Sequence, residues 1–547
     1  DEEIEVQVTF SDLSEKDREA LGKYAPDGAT TFTAWRQRSP DGSDRLSANA
    51  KGFPAFNAIK AAAGATAKKD LYKELRANRP KLDLPAANTG PAVDEAMTTW
   101  EAAHTDQLED ALESLQTNFF GFNSGGKMSG LFDFVLVTAD LRASEESIDG
   151  KSSIIGRILE RSVDRAAADE EIATIVEESR AKQQKVYEEK FKAQLEAMTT
   201  QLNSVVSSYS PGRSVTVSPA EVELKAPKTT FEVAVLDGPT ETAVERQGHG
   251  FQRTILISAL QLLAQSGAAS ADGVICLAIE EPELFQHPIQ AQAFAKVLRS
   301  LVEDPDKCIQ VTYATHSPYF LEARHFNQVR RLTRSADETP VVSVHCATIA
   351  DVKAKLNGIV DADVVDRRLD HNVADQLSIA LFANRAFLVE GTTESSVFYG
   401  IGDRTSHGLL EAAGVSIVSV GSKTSIPLAH AILSAIGVPA YALFDADAGF
   451  EARAKAKNKK QEDIDKERNN HATENRKLLR YFGLPEEDFP KASVLNGVAI
   501  FEDHLESLLS EKWPEWVAAC TEIEAAAGIS LAKNQLAYRT ATLKAAG

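Results

Sequence analysis

Two runs of this chain carry acids of the types and spacing that hold divalent cations. FLVEGTTESS places Glu390 and Glu394 with three residues between them, and YALFDADAG, further along, holds Asp445 and Asp447. Each pair follows an apolar stretch, AFLV or YALF, that reads as a buried strand. The acids then fall at strand ends or in the turns beyond, where open α/β sheets bind ligands. Hard cations such as Mg²⁺ or Mn²⁺ prefer oxygen ligands, and a pair of them activates a water and stabilises the leaving oxygen of a phosphodiester. Either acid pair alone would serve equally well as helix caps or solvated loop residues; the two together favour chemistry.

The stretch between the pairs supplies the elements that must position them. It reads as helix (SSVFYGIGD), strand (VSIVSV), a glycine turn at Gly421 and a second helix (IPLAHAILSAIG), the pattern of a parallel α/β unit. With Glu390-Gly391 closing the first strand and Asp445-Ala446-Asp447 closing the later one, the segment resembles the TOPRIM (topoisomerase-primase) domain.

A second constellation lies upstream. GVICLAIEEPELFQHP is an apolar strand running into Glu280 and Glu281, and CIQVTYATHSP is a second strand followed by His316. Ahead of both, QGHGFQRTILISALQLLA opens an amphipathic helix on Gly248 and Gly250, whose free N–H groups suit a phosphate. In this order the three pieces resemble an ABC-type ATPase. The resemblance implies ATP with Mg²⁺ as cofactor and GHGFQR, with Gly248, Gly250, Gln252 and Arg253, as the nucleotide-contacting signature. It further implies that Glu280 helps hold Mg²⁺, Glu281 polarises the attacking water and His316 senses the γ-phosphate. Glu280 departs from the aspartate usual at its position.

GFNSGGK, residues 121–127, has the glycine and lysine spacing of a phosphate loop, but Met128 stands where a hydroxyl should bind Mg²⁺. A helical pattern (QLEDALESLQ) precedes it and a strand (LFDFVLV) follows, the reverse of strand, loop, helix. It reads as a connecting loop. The phosphate loop is expected upstream of Asp1, because the resembling proteins carry it ahead of a strand like IEVQVTF.

At 547 residues, with 43% hydrophobic and 25% charged side chains, the chain has the composition of a soluble multidomain protein. Without a bilayer-length apolar run or a charged-then-apolar leader, a cytoplasmic location with no membrane partner is expected. The four cysteines form no CxxC or Cys/His spacing, so neither a disulfide framework nor structural zinc is indicated. The formal charge of −21, from 59 basic and 80 acidic side chains, makes any DNA contact a local one: a basic patch, a metal bridge or a channel.

The expected fold class is α/β: an ABC-type ATPase with an inserted helical coiled-coil arm, followed by a C-terminal TOPRIM domain. The ATPase would occupy residues 1–150 and 209–345, the latter starting on strands SVTV, EVELKA and FEVAVLD. The arm would span 151–208, with a heptad seam at Phe191, Leu195, Met198, Leu202 and Val205. A helical connector (346–382) leads to the TOPRIM domain (383–547), which contains a charged insert over 451–480.

This arrangement resembles the OLD (overcoming lysogenization defect) family of ATP-dependent nucleases. The resemblance implies a metal-dependent DNA endonuclease in which Asp445, Asp447, Glu394 and Glu502 share Mg²⁺ or Mn²⁺ and Glu390 is a ligand or general base. Lys533 would serve as transition-state cation, with Lys512 and Lys544 as nearby alternatives. A homodimer or higher homo-oligomer, a companion helicase and a role in anti-phage defence are implied in the same way. The rival reading is a nucleotide-gated DNA clamp that does not cut. Strand passage would need a tyrosine beside the metal, and Tyr441, Tyr481 and Tyr538 read as packing residues.

Overall fold

The computed structural model describes residues 3–547 apart from 27, 63, 116–131, 140–142, 148–149, 151–152, 221–222, 225–229, 266–272, 305–307, 372–374 and 532. The chain divides into two units, one of residues 1–287 with 296–314 and one of 288–295 with 315–547.

In the first unit, β1 (Ile4–Ser11), β2 (Thr31–Arg38), β3 (Asp44–Gly52) and β4 (Glu109–Ser114) form an antiparallel sheet in that order. Phe32 and Ala34, alternate residues of β2, are buried with Leu21, Ala48 and Leu115. The run QLEDALESLQ, read above as helical, instead supplies β4, in register with β3 from Ser47↔Ser114 to Gly52↔Glu109. Over so few residues an apolar pattern does not separate helix from strand, and the open edge of β3 offers a ladder that an isolated helical turn lacks. The GFNSGGK run lies outside the described residues.

A parallel sheet follows, built from β5 (Phe132–Val137) and two later strands. Between them come, among other helices, one unbroken helix of 41 residues, Asp169–Tyr209, and a hairpin of β6 (Ala234–Asp237) and β7 (Thr240–Ala243). Then β8 (Val274–Glu280) takes the centre of the sheet, flanked by β5 and by β9 (Ile309–Ala314). Phe191, Met198, Leu202 and Val205 of the long helix are exposed. The run SVTV, expected to be a strand, is not one. Val215 exchanges hydrogen bonds with the side chain of Asn203, at 2.7 and 2.8 Å, and the Val217 N–H donates to Thr199 Oγ1 at 3.1 Å. Side chains of the preceding helix thus satisfy backbone groups that a neighbouring strand would otherwise take.

In the second unit, the hairpin β10 (Arg331–Arg334) and β11 (Val342–His345) and the helices Ile349–Lys355, Ala362–His371 and Asp375–Ala380 lead into a five-stranded sheet. Its strands are β12 (Arg385–Val389), β13 (Val415–Ser419), β14 (Ala440–Asp445), β15 (Ser493–Val494) and β16 (Val498–Phe501), in the order β13-β12-β14-β16-β15. All neighbours are parallel except β15 with β16. The central strands are apolar because helices cover both faces; Leu388, Val418, Ala442 and Phe444 are fully buried with Ile432 and Ile436. Pairing of Val389 with Ser419 and of Asp445 with Phe501 brings the carboxyl ends of four strands to one edge. Among the described residues no helix is long and apolar enough to cross a membrane.

Candidate active site

Each acid of the FLVEGTTESS and DAD runs sits where this shared edge leaves it. Glu390 follows the last residue of β12, and its Oε1 accepts the backbone N–H of Asp445 at 2.8 Å. Gly391 opens the helix Thr392–Thr405, and its N–H donates to Glu394 Oε2 at 2.9 Å, so Glu394 closes the first turn it belongs to. Asp445 ends β14 with 9% of its surface exposed. Asp447, two residues on, adopts φ +57° in the left-handed region, which ends the extended run of β14.

The electrostatics follow from crowding acids in a poorly solvated place. Burial raises the Asp445 carboxyl to about 9, reinforced by the charges of Glu390, Glu394, Asp447 and Glu506. Burial raises Glu390 to about 7 against the opposing effects of the Asp445 N–H and the Lys423 charge. Glu394 is raised as well, first by burial and then by Glu506, with Lys533 acting the other way. Asp447 is the exception. Burial pushes it up, but His471 and Lys423 outweigh that and hold it well below the usual carboxylate range. Lys423 Nζ lies 2.6 Å from Asp447 Oδ2, and Arg453 Nη2 lies 3.4 Å from Oδ1. His471 Nδ1 is 3.1 Å from Oδ2, close enough for an ion pair without hydrogen-bond geometry.

Glu502 is exposed just past β16, and its backbone carbonyl accepts the Ala448 N–H at 2.9 Å. Glu506, in the first turn of the following helix Leu505–Lys512, is an acid whose charge reaches Glu394 and Asp445. Lys533 is exposed, and its carbonyl accepts a hydrogen bond from Thr392 Oγ1 at 3.5 Å, beside the helix start that carries Glu394. Sequence reasoning passed over Glu506, Lys423, His471, Arg453 and Asn475. The one signal for Lys423 was its place in the turn after β13, at the same sheet edge.

Among the described residues no group of three or more His, Cys, Asp or Glu side chains is already arranged around an ion position. The donor set nonetheless fits a hard divalent cation. Every candidate ligand is a carboxylate oxygen, and the buried Glu394 and Asp445 and the half-buried Glu390 crowd acidic groups whose charge such a cation would offset.

In the first unit, Glu280 ends β8 and its Oε2 accepts the Ala139 N–H at 3.2 Å. Glu281 has φ +42°, and its N–H donates to the Ala314 carbonyl at 2.8 Å. Arg253, 5% exposed, turns inward from the helix His249–Gln265, and its Nη2 donates to the carbonyls of Glu280 and Glu281 at 3.4 and 3.2 Å. Gln252 Nε2 donates back to the Gln247 carbonyl at 2.8 Å. Gly248 precedes this helix. At Gly250 a Cβ would come within 3.3 Å of the Phe285 carbonyl, so the close approach of the two segments favours glycine. His316 is exposed two residues beyond β9 and falls in the second unit.

Comparison with known proteins places these two sites in context. The AAA ATPase domain family matches residues 1–321, and the overcoming lysogenization defect protein-like TOPRIM domain matches residues 381–447. The chain is 28% identical over 214 residues to "Old nuclease" of Escherichia phage P2, covering 39% of this chain and 35% of that protein. It is 29% identical over 208 residues to "OLD nuclease" of Thermus scotoductus, covering 37% and 35%. A third relative is "Endonuclease GajA" of Bacillus cereus, 26% identical over 183 residues, covering 31% and 26%. The chain spans about a third of the length of the first two relatives. With more than half of its residues matched by the ATPase family and the DAD edge matched by the TOPRIM domain, the chain belongs to the AAA ATPase domain family and carries an overcoming lysogenization defect protein-like TOPRIM domain.

Proposed function

We propose that this protein is a divalent-metal-dependent DNA nuclease whose TOPRIM unit hydrolyses phosphodiesters and whose ATPase unit regulates it. The observation that carries this reading is the convergence at one sheet edge of the buried acids Glu394 and Asp445 with the half-buried Glu390. Glu394, Asp445 and Asp447 would hold Mg²⁺ or Mn²⁺, joined by Glu506 from the segment that also carries Glu502. Cations bound there would supply an acidified water and stabilise the leaving oxygen. Glu390 keeps Oε1 on the Asp445 N–H, which leaves Oε2 to take a proton from water, and a carboxyl raised to about 7 suits a general base near neutral pH. Lys533 would offset charge developing on the phosphate.

In the ATPase unit, Glu280 would help hold the nucleotide's Mg²⁺ and Glu281 would orient the attacking water. Gly248, Gly250 and Gln252 would face nucleotide, Arg253 would support the Glu280-Glu281 backbone from within, and His316 would respond to the γ-phosphate. The exposed apolar seam of the long helix supports pairing with a second copy of the chain.

Cleavage of supercoiled plasmid tests this function. The wild type should nick or linearise DNA with Mg²⁺ or Mn²⁺, and Asp445→Asn should lose at least about a hundredfold of that rate. Cleavage that survives the substitution would refute the site, and a wild type that binds DNA without cutting in any metal or nucleotide state would favour the clamp.

A further inference from the structure

Lysine is seldom buried without a reason, yet Lys423 is only 4% exposed, in the turn that follows β13. Its Nζ donates to Asp447 Oδ2 at 2.6 Å, to the Asp445 carbonyl at 3.0 Å and to Asn475 Oδ1 at 3.2 Å. An ammonium has three N–H donors, and here each has an acceptor. Asn475 is fully buried and donates from Nδ2 to the carbonyls of Ala446 and Asp488, at 2.9 and 2.8 Å. Three consecutive residues of the DAD turn are therefore held from one side. Asp447 sits among them at φ +57°, a left-handed conformation that aspartate adopts more readily than most residues with a Cβ.

We propose that Lys423 is a positioning residue for the acid cluster: its ammonium fixes the Asp445-Ala446-Asp447 turn and Oδ2 of Asp447, so that the Asp445 carboxylate and the lone pairs of Asp447 not taken by Lys423, or by Arg453 Nη2 at 3.4 Å from Oδ1, face a divalent cation. The inference rests on the metal-dependent reading above. A carboxylate offers about four lone-pair sites, so the bond to Lys423 leaves Asp447 with capacity to ligate. Lys423 could instead be a stand-in that a cation displaces, but two of its three acceptors, the Asp445 carbonyl and Asn475 Oδ1, belong to no carboxylate. They would keep the ammonium in place with a cation bound beside it. Groups that orient metal ligands in this way commonly change affinity by about 10- to 100-fold when removed.

Isothermal titration calorimetry with Mn²⁺ on the whole chain tests the proposal, with far-UV circular dichroism to establish folding. Lys423→Met should bind Mn²⁺ at least about tenfold more weakly than wild type. Lys423→Gln, which keeps an N–H donor for the same acceptors, should recover part of that loss. A folded Met variant that binds Mn²⁺ as tightly as wild type, or more tightly, would overturn the proposal and leave Lys423 as a displaceable stand-in. Should the Met variant not fold, the Gln variant decides: weaker binding supports the positioning role, and equal or tighter binding overturns it. A wild type that takes up no Mn²⁺ removes the metal reading and this proposal with it.

Discussion

Asp445 gives its backbone N–H to Glu390 Oε1 at 2.8 Å, a bond that joins the ends of the neighbouring parallel strands β14 and β12. Glu390 cannot swing away without leaving a strand-end amide unpaired, so the two acids stay together whatever else moves. Their proximity is built into the sheet and precedes any ligand.

That arrangement sets a pH dependence. Asp445 is raised to about 9 and Glu390 to about 7, from 3.8 and 4.5, so the folded chain keeps protons that the unfolded chain releases. Where the unfolded state binds fewer protons, stability falls as pH rises. The destabilisation is absent below about pH 4, grows through the folded-state values and is complete above about pH 9. The thermal midpoint of the metal-free protein should therefore drop between about pH 6 and pH 9, by roughly 2–4 °C per kcal/mol for a unit of this size. Asp445→Asn should flatten the curve, and Mn²⁺ at about pH 8 should restore the midpoint of the wild type but not of the variant. A flat wild-type profile in the absence of metal would contradict the electrostatic account.

Gly400 lets the helix Thr392–Thr405 press against the helix Gln535–Lys544. A Cβ there would meet Thr542 Cβ at 2.5 Å and the Arg539 carbonyl at 2.8 Å, and the carbonyl has little room to yield. Gly400→Ala should cost about 1–3 kcal/mol by overpacking. Because Glu394 lies in the first turn of the same helix, Mn²⁺ should also raise the variant's midpoint less. Differential scanning fluorimetry checks both effects, and an unchanged midpoint would show that the two helices separate freely.

Glu281 keeps a left-handed φ of +42° that costs on the order of 1 kcal/mol for a residue with a Cβ. If this residue is retained for chemistry, Glu281→Gly should leave the thermal midpoint unchanged or higher while nucleotide turnover by the full protein falls. A midpoint several degrees lower would assign Glu281 a mainly structural role.

The sequence made the edge of the second sheet legible because short apolar runs closed by acids are local signals. AFLV before Glu390 and YALF before Asp445 became β12 and β14 with the acids at their carboxyl ends. The supports of those acids were not legible in the same way. Lys423, His471 and Asn475 reach Asp447 or its turn from elements far along the chain, and only the packing of the sheet brings them there. Glu506 was overlooked for a related reason: Glu502 sits nearer the strand end, but the helical turn after it carries Glu506 toward Glu394. The misreadings of β4 and of SVTV share a cause, since tertiary partners decide what a short ambiguous run becomes.

Acids that follow β12, open the helix after it and end β14 should close on shared cations. Anomalous scattering from crystals soaked in Mn²⁺ measures this directly. Manganese peaks are expected at about 2.1 Å from carboxylate oxygens of Glu394, Asp445 and Asp447, with the Glu390 carboxyl adjacent. Manganese bound only elsewhere, or Glu390 and Asp445 left without an ion at saturating Mn²⁺, would contradict that expectation.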